Sequence, residues 1–188
     1  WGANGRGRLG LGDTTDRNTP TQVGTDTNWI SVSNGGSHTT AIKTDGTLWT
    51  WGYNGNGQLG LGDTADRSIP TQVGTDTNWV SVSGGGDHTT AIKTDGTLWA
   101  CGYNAYGQLG VGDNTDRHSP TQVGIDTNWV SVTARSNQTL AIKADGTLWA
   151  WGCNLSGQLG TGNFWQIRSL PAQTHIAGTD WVAASAGE

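Results

Sequence analysis

The chain repeats itself every 50 residues. Trp1-Gly2, Trp51-Gly52 and Trp151-Gly152 open three copies of one unit, and Cys101-Gly102 opens another. Pro20, Pro70 and Pro120 keep the interval, as do Asp45-Gly46, Asp95-Gly96 and Asp145-Gly146. Self-similarity at a fixed period of this size marks a chain whose building block buries its apolar surface against copies of itself. The 188 residues form one repeat domain, 1–188, with units 1–50, 51–100, 101–150 and an incomplete 151–188.

The second unit shows what each copy folds into. Residues 79–83, Trp-Val-Ser-Val-Ser, alternate with period two and read as a strand, with Val80 and Val82 on one face and Trp79, Ser81 and Ser83 on the other. Gly84-Gly85-Gly86-Asp87 turns the chain, because glycine accepts backbone angles that other residues avoid. Residues 88–93 make a second strand, Thr94-Asp95-Gly96 a hairpin turn with positive φ at the glycine, and residues 97–101 a third strand. A Gly-rich connection leads to a short fourth strand, Pro70–Val73 in this second unit. Proline at its start suits an edge strand, where a missing N–H is harmless. Four short antiparallel strands per unit, repeated radially, give an all-β fold, a β-propeller of which about 3.75 blades are present. The recurrent Asp-Gly hairpins argue against the parallel coils of a solenoid.

Composition supports this reading and removes several functions. Gly is abundant at 31 residues, Met is absent, and Trp, at 11, carries the apolar load. No apolar run is long enough to span a membrane. The net charge is −5 and the basic residues are scattered without a basic stripe, so no nucleic-acid surface is expected. Cys101 and Cys153 lack metal or redox spacing and read as unpaired buried thiols.

The combination W-G-x-N-x-x-G-Q-L-G-x-G-D, then Pro-x-x-Val, then H-T-x-A-I-K-x-D-G-T-L-W resembles the repeat of the regulator of chromosome condensation family, and looks more like its prokaryotic branch. The likeness covers the whole chain. It implies a propeller of about seven blades, which at this period needs ~350 residues. The chain is therefore expected to be part of a longer protein or of an assembly, including an open head-to-tail one. Light sensing within the family uses a Trp in a Gly-Trp-Arg-His-Thr loop; the matching slots here are Gly36, Gly86 and Ser136. Nucleotide exchange in the family uses an inserted wedge, for which the strict period leaves no room.

No catalytic set emerges from the residues. His38 and His88 share one unit position, where copy three has Gln138, and they read as structural hydrogen-bonders. Asp13-Asp16-Arg17, Asp63-Asp66-Arg67 and Asp113-Asp116-Arg117 read as turn-capping and ion-pair residues. No Asp-x-Asp-x-Asp-Gly series suggests calcium, and Gly55-Asn56-Gly57-Gln58-Leu59-Gly60 lacks the helix a dinucleotide site requires. No metal, cofactor or catalytic residue is expected.

What differs between copies carries the functional reading. Gly35-Gly36-Ser37-His38 becomes Arg135-Ser136-Asn137-Gln138. The pair Gly55-Asn56 becomes Gly5-Arg6, Ala105-Tyr106 and Leu155-Ser156. The Asp-rich loop becomes Asn163-Phe164-Trp165-Gln166-Ile167-Arg168, with extra length before Pro171. Aromatic and Arg side chains in loops suit a recognition surface. The binding candidates are Arg6, Tyr106, Arg135, Asn137, Gln138, Phe164, Trp165 and Arg168. The expected function is a non-catalytic scaffold that binds a protein partner or itself. The alternatives are glycan binding through loop aromatics and a subunit of a filamentous assembly. The compartment is left open, with an extracellular or cell-surface setting favoured.

Overall fold

The computed structural model describes residues 1–162, 164–175, 178 and 180–185. The described residues contain three four-stranded antiparallel sheets. Sheet 1 comprises β1 (Trp29–Asn34), β2 (His38–Lys43), β3 (Leu48–Gly52) and β4 (Arg67–Gln72). Sheet 2 comprises β5 (Trp79–Gly84), β6 (His88–Lys93), β7 (Leu98–Gly102) and β8 (Arg117–Gln122). Sheet 3 comprises β9 (Trp129–Arg135), β10 (Gln138–Lys143), β11 (Leu148–Gly152) and β12 (Arg168–Gln173). Each sheet is one blade of a propeller and straddles two sequence units. A bridge between Gly2 and Arg17 belongs to a further, partial blade. First strands of successive sheets touch, β1 with β5 and β5 with β9, so they stand at the axis and the fourth strands fan outward.

The core lies between sheets. Ile42, Leu48 and Val73 of the first blade pack on Trp79, Val82 and Ala91 of the second. Ile92, Leu98, Leu109 and Val123 pack likewise on Trp129, Val132, Ala141 and Trp151. Full burial of such side chains contributes roughly 1.5–3 kcal/mol each, so every blade is stable largely through its neighbours.

Two sequence expectations are corrected. Val80 and Val82 do not share a face: Val80 is exposed while Val82 is buried with Trp79. A β-bulge between Trp79 and Ser81 is the cause, since Trp79 pairs with Lys93 and Ser81 already with Ile92, leaving Val80 as the extra residue. The glycines of the β5–β6 turn also serve a different purpose from the one expected. Gly85 has no positive φ; a Cβ there would stand 2.1 Å from His88 Cε1, so its role is to leave room for a ring. By contrast Gly96, in the Asp-Gly hairpin, does take φ 75. Proline lies in the edge strands as expected but not at their start: β4 begins at Arg67 and ends at Gln72, so Pro70 stands mid-strand, where the interrupted β3–β4 register tolerates its missing N–H.

The lysines are not scattered. Lys43, Lys93 and Lys143 close their second strands in identical cages at the hairpin end of each blade. Lys93 Nζ lies 4.6 Å from the Trp79 ring centre and 4.2 Å from that of Trp99, and 2.7 Å from Asp76 Oδ2. The two indoles meet edge to face at 6.2 Å. Desolvated cation–π contacts of this kind are each worth about 2 kcal/mol.

Candidate protein-interaction face

Antiparallel order puts the first-to-second-strand turns and the third-to-fourth-strand loops of every sheet at one end, here called the loop end. Every candidate from the sequence belongs to this end. The opposite, hairpin end carries the Asp-Gly turns and the lysine cages.

A buried framework holds the loops. Asn54, with no solvent exposure, donates through Nδ2 to the Asp63 carbonyl at 3.0 Å and accepts from the Leu59 N–H at 3.0 Å. Its own N–H donates to Asp66 Oδ1 at 2.9 Å. Asp63 accepts from the Ala65 N–H and from Arg67 Nη2 at 2.6 Å; these two contacts, the backbone one foremost, hold its carboxyl below the usual range. Asn4 and Asn104 repeat the arrangement. The Asp and Arg residues of these loops thus cap turns and pair with each other, as their spacing suggests.

Below the loops, successive blades are stitched by a ladder. The Thr89 hydroxyl donates to the Gln58 carbonyl at 2.8 Å, so at 2.9 Å from His38 Nε2 it accepts, which places the histidine proton on Nε2. Thr139, His88 and Gln108 form the next rung. Burial pushes the pKa of His38 down to about 4 and of His88 to about 3. Both rings are neutral and sealed from solvent, with no path to a surface substrate. Trp151 Nε1 donates to the Gln108 carbonyl at 2.9 Å, while Cys101, in the matching slot, places only a thiol 3.6 Å from the Gln58 carbonyl. Cys101 is buried, with its pKa pushed up to about 12, whereas Cys153 is half-buried; neither is in a disulfide.

The structure sorts the eight candidates into distinct situations. Arg135 ends β9 at the rim of an axial opening of about 730 Å³, shared with Asn34, Gly36, Gly86 and Ser136. It is exposed, and so are Phe164 (66%) and Trp165 (80%). Trp165 has φ 61 and donates its N–H to the Asn154 carbonyl at 3.1 Å, which turns the indole outward. Tyr106 is half-buried and meets Tyr103 edge to face at 6.2 Å. Arg6 spans to the next blade, with its guanidinium 4.9 Å from the Tyr53 ring centre and 3.4 Å from Asp66 Oδ2. Asn137 is a latch: its Oδ1 accepts from Gln108 Nε2 at 3.2 Å, as Asp87 accepts from Gln58. Gln138 is buried and does not reach the surface. Arg168 opens β12 and donates from Nε to Thr161 Oγ1 at 3.3 Å. Asn163 lies outside the described residues. Leu155 and Ile167, each 42% exposed, were not among the candidates; they add apolar surface to the same third-sheet loops. Among the described residues no three His, Cys, Asp or Glu side chains group as metal ligands would.

A radial array of four-stranded blades stitched rung by rung, with variable loops at one end, defines a repeat propeller. The model of the regulator of chromosome condensation (RCC1) repeat matches residues 1–42, 45–92, 95–142 and 145–188, and a second RCC1-repeat model matches 29–58, 79–108 and 129–158. The chain belongs to the RCC1-repeat family. Its fold is similar to Prp20p of Saccharomyces cerevisiae, described with its binding properties to Gsp1p and histones: TM-score 0.81, 24% identity, 94% of this chain and 45% of that one. Yeast RCC1 (Prp20) bound by Kap60 gives TM-score 0.80 at 24% identity, covering 94% and 44%. Human WBSCR16 gives TM-score 0.76 at 24% identity, covering 90% and 45%. The chain thus spans less than half the length of these structures. No match appears among curated protein sequences.

Proposed function

We propose that this chain is the interaction segment of a non-catalytic propeller scaffold that binds a protein partner through its loop end. One observation carries the reading. Through the first three units the hairpin end repeats almost unchanged, while the loop end puts Arg135 in the place of Gly85 and Tyr106 in the place of Asn56, and brings Phe164 and Trp165 into the loop that is Asp-rich in the other copies. Exposed indole and guanidinium groups on a rigid frame are the residue types that concentrate binding energy at protein interfaces. The sealed, neutral histidines favour a binding role over acid–base catalysis. Prp20p, named above with protein partners, supports a protein as the ligand class by analogy only.

The test is a photo-crosslinker at Tyr106 or Trp165 in the source cell, compared with the Y106A/R135A/W165A chain. A discrete protein adduct that the triple variant loses, while its thermal unfolding matches wild type, supports the face. Capture unchanged by the triple variant overturns it. A glycan array that lights up only with wild type would replace the protein partner by a sugar.

A further inference from the structure

Two successive blade junctions hold the same pocket. Between sheets 1 and 2, both complete, it measures about 340 Å³. Leu61, Trp99 and Pro120 give it an apolar wall, and Gln72, Asp76 and Ser119 a polar one. The corresponding residues 50 positions earlier, among them Leu11, Gln22, Asp26 and Trp49, line a pocket of about 320 Å³.

The polar residues each spend one atom on the fold and keep another. Gln72 Nε2 donates to the Gly74 carbonyl at 3.3 Å, and Asp76 Oδ2 pairs with Lys93 Nζ at 2.7 Å. Gln72 Oε1, Asp76 Oδ1 and the Ser119 hydroxyl take no partner among the described residues. Trp79 also borders the pocket and is 3% exposed, and its indole N–H finds no acceptor among the described residues. A buried donor without an acceptor is rare and costly, and a ligand oxygen would satisfy it.

Chemistry narrows the occupant. None of the lining residues is cationic, and Lys93, beside Asp76, is held between the Trp79 and Trp99 rings, so nothing here offers charge to a phosphate or carboxylate. The aromatic cage that a ligand ammonium would seek is filled by the same lysine. An apolar ligand would strand the amide, carboxylate and hydroxyl groups. An uncharged ring with hydroxyls on its rim and C–H groups on its face suits both walls.

We propose that the pocket between sheets 1 and 2 is a saccharide site that takes one pyranose residue. Gln72 Oε1 and Asp76 Oδ1 accept from sugar hydroxyls, Ser119 Oγ and Trp79 Nε1 donate to sugar oxygens, and Leu61, Trp99 and Pro120 cover the C–H face. Ser119 marks this junction out, since Ile69 stands in its place at the earlier one. None of the eight loop-end candidates lines the pocket, so the inference is independent of the protein-binding face.

Indole NMR of the 188-residue chain tests it, with methyl hexosides and methyl N-acetylhexosaminides as probes and an array carrying the same sugars at glycan ends. At least one probe should shift the Trp79 and Trp99 N–H signals saturably and leave that of Trp165 in place. Q72L/S119I should weaken binding by about tenfold or more. The isoleucine copies Ile69, so the junction accommodates it, and the wild-type shifts alone decide should the double variant lose its fold. Y106A/R135A/W165A should bind the sugar unchanged, so loss of protein capture in that variant leaves this site standing. Competition by a free monosaccharide assigns the pocket to a chain-end residue, and binding of oligosaccharides alone to an internal one; both support the site. No shift and no array signal with any probe overturns it, as does binding that moves Trp165 in place of Trp79 or that a folded Q72L/S119I retains in full.

Discussion

The two ends of the blades obey different rules. At the hairpin end of the first three units, Thr-Asp-Gly-Thr and Val-Gly-Thr-Asp-Thr-Asn recur with two exchanges, Ala144 and Ile125, and only the fourth connector, Thr174-His175-Ile176-Ala177-Gly178-Thr179-Asp180, departs from them. Every lysine lies there, caged, and the exposed carboxylates of Asp45, Asp95 and Asp145 leave that end acidic. At the loop end every arginine is found, balanced by as many aspartates, and the loop tips change from copy to copy. The difference follows from contact. A hairpin residue touches its own turn and the connector to the next blade at once, so any exchange must satisfy both. A loop tip above the Asn54 framework touches water on one side, and its identity is left to whatever it meets.

The largest expected effect lies at the hairpin end. Gly96 needs φ 75, and a Cβ would stand 2.1 Å from the Thr127 carbonyl oxygen, which is backbone and cannot swing aside. Gly96→Ala combines a left-handed penalty with a displaced inter-blade connector and should cost at least about 3 kcal/mol. Urea unfolding measures it; a loss below about 1 kcal/mol would break the claim that this end is fixed by contact. Trp129, whose N–H donates to the Gly96 carbonyl at 3.1 Å, should report the same transition by fluorescence.

An intermediate effect tests the ladder under the loops. His38 and His88 have folded pKa values of about 4 and about 3, below the ordinary 6.5 of the unfolded chain. Below pH 6.5 the unfolded state therefore binds the protons that the native rings refuse. Their contribution is full above pH 6.5 and is lost as the pH falls, toward 4 for His38 and toward 3 for His88, at up to about 1.4 kcal/mol per pH unit for each ring. H38Q/H88Q, which installs the amide already used at Gln138, should flatten that limb of the stability–pH curve. An unaltered slope would show that other groups set the acid limit.

How much of this was legible depends on how many residues a feature joins. The period, the strands, the edge prolines and the Asp-Gly turns are properties of one segment and could be read along the chain. The bulge at Val80 is a property of pairing with Ile92 and Lys93, so alternation alone put that side chain on the wrong face. The lysine cages had a signal, a lysine at one unit position in three copies, but the partners Asp76 and Trp79 precede Lys93 by 17 and 14 residues and become its neighbours only after folding. The exchange of His for Gln138 becomes intelligible once the ring of His88 is seen to occupy the space of a Cβ at Gly85. Arg135 fills that position in the third copy, so a ring no longer fits and a slimmer amide replaces it. Of the candidate residues, sequence could mark the variable positions but not their depth, which is why buried Gln138 and exposed Trp165 looked alike.

The smallest effect sharpens the same contrast from the other side, since tolerated variation should leave room for repair. Cys101 occupies the slot of Trp51 and Trp151, in a space bounded by Leu48, Trp79, Thr89, Ala91 and Pro120. Trp51 and Trp151 lie about edge to face on Trp29 and Trp129, at 6.0 and 6.1 Å, and each gives its indole N–H to a loop carbonyl at 2.9 Å. Trp79 lacks such a partner from Cys101, and the Gln58 carbonyl receives only a thiol. Cys101→Trp should therefore add a neutral hydrogen bond and an aromatic contact, raising stability by about 1 kcal/mol after repacking costs. A higher urea midpoint with an unchanged slope is the expected result. A lower midpoint would mean that the second junction has closed around the thiol, and that the departures between copies reach below the loop tips into the packing of the blades.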